Sequence, residues 1–209
     1  RLDSPEFKAL SFMVKKGCVC LHVPYIVEKE FLTYLEIEQR KKIVSAIKSI
    51  SSALNYEGTG EKTNDLSVIL EKLKADEKDI VTERSASFID WLNLNSAGRH
   101  PLTLKQSEGA LEAYFNGSPP LKEPKTRKHI PDSFIYQKIM ELKSNFGNDL
   151  TVVINDGDLR SACENAGILC FDELSKFLKS ENAQECLKQP IIDVNKQQVL
   201  EYTLKLVAC

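Results

Sequence analysis

The sequence predicts an α/β protein, a parallel sheet covered by helices with a helical insertion. Three observations carry that expectation. The C-terminal half alternates helix, strand, helix, strand, helix in its apolar patterning. The N-terminal end reads helix, strand, helix. Between them, residues 38–115 are nearly all helical in pattern and read as an insertion or arm within a single domain spanning 1–209. Residues 183–209 read as a C-terminal extension.

The elements follow in order. Ser4 and Pro5 read as N-cap and first helical residue. Gly17 ends that helix, and CVCLHV (Cys18 to Val23) is a short apolar run expected to be a buried strand. Pro24 opens a long helix with an apolar stripe at Ile26, Val27, Phe31, Leu32, Leu35 and Ile37, continuing to about Leu54. YEGTGEKTN is a loop by composition. A second helical run covers Asp65 to Leu92, then residues 93–101 read as a loop and Leu104 to Phe115 as a short helix. Asn116-Gly117-Ser118-Pro119-Pro120 cannot be regular structure. The basic stretch LKEPKTRKH follows, with Lys122, Lys125, Arg127 and Lys128 against one Glu123.

Pro131 starts a helix that Gly147 breaks. LTVVI (Leu150 to Ile154) is a continuous apolar and β-branched run, as in strands buried on both faces. Leu159 to Ala166 is a short helix with Gly167 as its C′ residue. Ile168 to Cys170 is a strand, Asp172 reads as the cap of a helix through Leu178, and Val194 to Val207 is helix-like.

Composition bounds the function classes. With 42% hydrophobic and 28% charged residues, the chain of 209 residues can bury a real core. A net charge of -2 does not advertise a polyanion partner, so nucleic-acid contact has to come from local patches. No apolar run approaches the ~20 residues of a membrane span, and no signal-peptide pattern opens the sequence. The six cysteines include no CxxC pair and only three histidines accompany them, so zinc spacing is absent. Reduced thiols and a cytoplasmic location are the expectation.

The acidic residues each admit two readings. Asp156 and Asp158 follow the LTVVI strand, on the edge where parallel α/β sheets bind ligands. They can be turn residues, with Asp158 as an N-cap. They can also be a site, because two adjacent carboxylates repel unless a cation or proton offsets them. Asp132 in the first helical turn is favourable charge at a helix N-terminus. Glu28 and Glu30 fit a solvated helix face, with Glu30 near the border of the apolar stripe. His22 reads as a satisfied, partly buried histidine, and Cys163 and Cys170 as packing residues.

The combination is more specific than its parts. Pro24, Val27 and Glu30, then Pro131, Asp132 and Ile135, then Asn155, Asp156, Asp158, Gly167 and Ile168 together resemble the PIN-domain nucleases. The basic run before IPDSFI looks like that of the larger, bacterial PIN-like proteins. The resemblance covers about residues 5–37 and 116–178. It implies a three-layer α/β/α fold whose carboxylates hold Mg²⁺ or Mn²⁺ through Glu30, Asp132 and Asp156. Asp158 would be a ligand through water or an orienting group. Asn155 would hydrogen-bond a ligand or phosphate, and Lys125, Arg127 and Lys128 would contact backbone phosphates. The family's first strand normally ends in an Asp-Thr/Ser-Asn motif. The residues from Arg1 onward show no such strand, so either it lies ahead of Arg1 or the protein lacks it, and Asp3 lies in a polar turn ahead of a helix.

The function that the resemblance implies is metal-dependent endoribonuclease action on single-stranded or structured RNA. A protein inhibitor, as in toxin–antitoxin modules, or self-association would be its protein partners. The alternative is a non-catalytic binding or assembly module acting through the helical insertion. A phosphohydrolase using an aspartyl nucleophile is a third class, matched only by the late Asp156-Gly157-Asp158.

Overall fold

The computed structural model describes residues 2–56, 61–188 and 204–208. Its elements in chain order are α1 (Pro5–Lys15), β1 (Val19–Pro24), α2 (Tyr25–Tyr56), α3 (Glu61–Ala75), α4 (Glu77–Leu94), β2 (Gly98–His100) and α5 (Leu104–Asn116). After them come α6 (Ile130–Phe146), β3 (Leu150–Val153), α7 (Gly157–Asn165), β4 (Leu169–Phe171), α8 (Leu174–Lys179), α9 (Glu181–Lys188) and β5 (Leu204–Ala208). The strands form one parallel sheet in the order β2-β1-β5-β3-β4. Helices cover both faces, so the three-layer α/β/α expectation holds.

Alternation along the strands separates the two faces. Leu150, Val152 and Ile154, with Val207 of β5, pack against Ile135, Ile139 and Leu142 of α6 and Leu159 and Cys163 of α7. On the other face, Thr151, Leu169 and Phe171 border a cavity with Phe177 of α8. Both faces of β3 are therefore covered, which is why LTVVI reads as an unbroken apolar run. The sequence of α1 explains its ends: Pro5 stands at the first turn, and Gly17 at φ 74 takes the left-handed turn that lets Cys18 N–H reach Met13 O at 3.1 Å.

The chain divides into two compact units, one of residues 1–28 and 92–209, the other Lys29–Trp91. The first holds the whole sheet and α5. In it Gln106, Ala110 and Ala113 are the buried positions of α5, and Thr103 and Gln106 form a reciprocal capping box at its start. The second unit is helical. There Phe31 meets Phe88 edge-on at 4.5 Å between ring centroids, and Phe88 stacks with Trp91 at 6.5 Å.

Several sequence expectations need correction. The helical run expected over Asp65 to Leu92 is two helices, interrupted at Asp76. The loop expected over residues 93–101 contains β2, whose three residues are too few to show a period. Asp172 does not cap α8, whose N-cap is Glu173; the Asp172 carboxylate instead takes Lys176 at 2.5 Å. Ala183 to Lys188, expected to be irregular, lies in α9. The end of the helix-like run is β5 at the centre of the sheet, because a short segment such as LKLVA suits a strand as well as a helix. Residues 194–203 of that run lie outside the described residues.

The expectation of reduced thiols fails at one pair. Cys18, just before β1, and Cys186 in α9 form a disulfide, with Cα atoms 6.1 Å apart and 168 residues between them in sequence. Spacing rules that look for nearby cysteines cannot see such a pair. Cys20, Cys163 and Cys170 take no part in a disulfide.

Candidate functional site

The connections leave the sheet in opposite directions on either side of β5. β1 leads towards β2 and β3 leads towards β4, so the carboxyl edge near β5 is the switch point of the sheet. At that edge β3 passes through Ile154, whose N–H donates to Phe171 O at 2.8 Å, into Asn155 and Asp156. Asp156 is the N-cap of α7. Its Oδ1 accepts from Asp158 N–H at 3.0 Å and Leu159 N–H at 2.8 Å. The residue thus does the work of a cap, and its carboxylate stays exposed at the edge. Asp158 is then a first-turn residue and not the cap expected from sequence.

Asp132 comes to the same place from another helix. It lies in the first turn of α6, and its Oδ2 is 3.0 Å from Nδ1 of His129. Burial pushes its carboxyl above the ordinary carboxylate range, and the charges of Asp156 and Asp158 push it further, against the hydrogen bond from His129. Asp132, more than twenty residues away in sequence, therefore feels the charge of both Asp156 and Asp158. Asp158 is the one in direct contact with a lysine. Lys122 Nζ lies 2.6 Å from its Oδ1 and, with His129 and Lys128, holds its carboxyl below the ordinary range.

The basic approach ends beside this cluster. Arg127 and Lys128 are exposed in a 3-10 turn, Arg127–His129, that leads into α6. Lys125 is exposed as well and has a left-handed φ of 61°, and its N–H donates to Tyr114 O at 2.7 Å. Asn155 is exposed between β3 and the cap. Glu30 is exposed on α2 and falls in the helical unit, apart from the unit that carries Asp132 and Asp156.

Glu28 departs from the solvated face expected for it. It is 4% exposed, and Arg99 grips it with two bonds, Nε to Oε2 at 2.6 Å and Nη2 to Oε1 at 2.7 Å. The partner comes from β2, the strand that the sequence did not show. His22 is half-buried as expected, with Nδ1 2.9 Å from Nε2 of His100. Burial and then the charge of Lys138 push His100 below the ordinary histidine range. Lys138 in turn donates to Glu141 at 3.0 Å, and Gln106 donates to the other oxygen of that carboxylate.

Oxygen donors are what hard divalent cations take, and Mg²⁺ is commonly held by one or two carboxylates with waters and substrate phosphates completing the shell. Among the described residues no group of three or more His, Cys, Asp or Glu side chains is arranged to hold a metal ion. Burial and the charges of Asp156 and Asp158 raise the Asp132 carboxyl, and added positive charge there would relieve this. His129 and Lys122 are the neighbours that sequence reasoning left without a role. Both stood in the basic stretch, and only the fold brings them to the carboxylates.

Fold and site together define a parallel-sheet α/β protein with carboxylates gathered at the switch point. A family model described as PIN domain matches residues 1–159, and the chain belongs to that family. The match runs through the helical block that the motif resemblance had left uncovered. Neither a curated protein nor a solved structure matches the chain. PIN domains are in general nucleases that use divalent metal ions, which gives this protein its broad class. Among the described residues no helix is long and apolar enough to cross a membrane.

Proposed function

We propose that the protein is a metal-dependent endoribonuclease acting at the acidic edge. The observation that supports this most is the electrostatic contact of Asp132 with Asp156 and Asp158 at the switch point of a PIN-family sheet. In this reading Asp132 and Asp156 hold Mg²⁺ or Mn²⁺, and Asp158 orients through water. The bound ion supplies an activated water and charge neutralisation at the phosphodiester. Asn155 hydrogen-bonds a phosphate oxygen. Lys125, Arg127 and Lys128 position the RNA backbone without reading its sequence.

The test is cleavage of single-stranded and structured RNA by the full chain with Mn²⁺, set against Asp132→Asn and Asp156→Asn. We expect a loss of 10²-fold or more, on the order seen when groups positioned for charge stabilisation are removed. Equal rates in all three proteins, or none in any, would reject the proposal.

A second reading has its own support. Lys29–Trp91 is a compact unit by itself, and Tyr34, Ile37 and Val44 of α2 and Val68 and Ile69 of α3 are exposed. Apolar exposure of this kind suits a binding or assembly surface, for an inhibitor or a second copy. A chain that lacks Mn²⁺-dependent cleavage but self-associates or binds a partner through these helices would favour that reading.

A further inference from the structure

Two helices expose apolar stripes of matching spacing. On α5, Leu104, Leu111 and Phe115 are exposed, and so is Glu108 between the first two. Their steps of four, three and four residues put all four side chains on one face. The other face of that helix is buried through Gln106, Ala110 and Ala113 and packs on α6, so the stripe stands on a fixed base. On α2, Tyr34, Ile37 and Val44 are exposed, with exposed Lys41 and Lys48 among them. Steps of three, four, three and four residues again make one seam, the spacing of a coiled coil. Glu108 holds the place on its stripe that Lys41 holds on the other, four residues past one apolar side chain and three ahead of the next.

We propose that α5 of one copy docks along α2 of a second copy, running in the same direction, with Glu108 against Lys41. This rests on the assembly reading given above and names its partner. In parallel pairing, like positions of the two seams face each other. Leu104 then meets Ile37, Leu111 meets Val44, and Lys48 reaches the Phe115 ring as a cation–π contact. Charge selects this pair over the alternatives. Two α5 helices in parallel would set Glu108 against Glu108, and two α2 helices Lys41 against Lys41. Antiparallel pairing brings Glu108 against an apolar residue and leaves it without a partner. Lys41 lies 2.9 Å from Glu38 on its own helix, an exposed pair weak enough to exchange. A seam of so few turns is a small interface, so the association is weak and depends on concentration.

The experiment is analytical sedimentation of the full chain over a range of concentrations, without metal or RNA. Wild type should self-associate. Lys41→Glu and Glu108→Lys should each weaken the association about fivefold or more, since each sets like charges face to face. An equimolar mixture of the two variants should regain most of it, because each copy then offers the other the opposite charge. The double variant should regain it alone. Reversals without effect overturn the pairing, and association that Val68→Glu then abolishes leaves the assembly reading standing on α3. Reversals that weaken association with no recovery in the mixture also overturn the pairing. Wild type that stays monomeric overturns the pairing and self-assembly together, which leaves the assembly reading to an inhibitor alone.

Discussion

His129 and Asp132 face each other across the first turn of α6, with Nδ1 3.0 Å from Oδ2. The contact opposes, without cancelling, the burial and like charge that hold the Asp132 carboxyl above its ordinary range. The sign follows from linkage. A carboxyl whose folded pKa is raised binds its proton more tightly in the folded state. Its contribution to stability is full at low pH, falls as pH rises past the ordinary carboxylate value, and stays lost above the raised one. In metal-free protein, Asp132→Asn should therefore melt about 1–2 °C higher than wild type at neutral pH, with the gap closing in acid. Thermal melts across pH check this, and a variant that melts lower at neutral pH contradicts it.

Arg99 and Glu28 join the edge strand β2 to the first turns of α2. Glu28 is 5% exposed in its side chain while Arg99 is 42% exposed, so the pair is buried at the acid end only. Removing the arginine takes the two-bond partner away from a buried charge. Arg99→Ala should cost about 2–3 kcal/mol, somewhat below a fully buried pair. Adding Glu28→Gln to it should return part of that loss. Denaturant midpoints of the single and double variants give the answer, and a single variant as stable as wild type would show that the pair contributes nothing.

Cys18 and Cys186 bridge the entry to β1 and α9. Lys16 reinforces the junction, donating through Nζ to Cys186 O and Leu187 O at 3.2 Å each. A cross-link over so long a loop acts mainly on the unfolded chain. Joint replacement of both cysteines by serine should lower stability by about 2–4 kcal/mol. Dithiothreitol should lower the melting temperature of wild type and leave the double variant unmoved. A reductant-insensitive wild type would speak against the bridge.

The legible parts of this fold were those whose signal is local. LTVVI announced a strand covered on both sides, and Val152 and Thr151 do face opposite layers. Pro5, Pro131 and Gly147 marked helix ends through their own backbone limits. β2 stayed hidden because three residues carry no period, and with it went the partner of Glu28. β5 stayed hidden because a run of five residues with an apolar bias suits either a strand or a helix.

The candidate site divides in the same way. Carboxylates at the ends of LTVVI and at the start of α6 were readable, since strand ends and helix starts are where the sequence puts Asp156, Asp158 and Asp132. By itself the sequence determined the α/β alternation, the acidic residues at element ends and the basic run ahead of α6. Only tertiary structure decided that Asp132 feels Asp156 and Asp158, that Lys122 rests on Asp158, and that Cys18 meets Cys186. The reason is physical: propensity and periodicity act over a few residues, whereas charge and covalent pairing depend on distances that exist only after the sheet and its helices have packed.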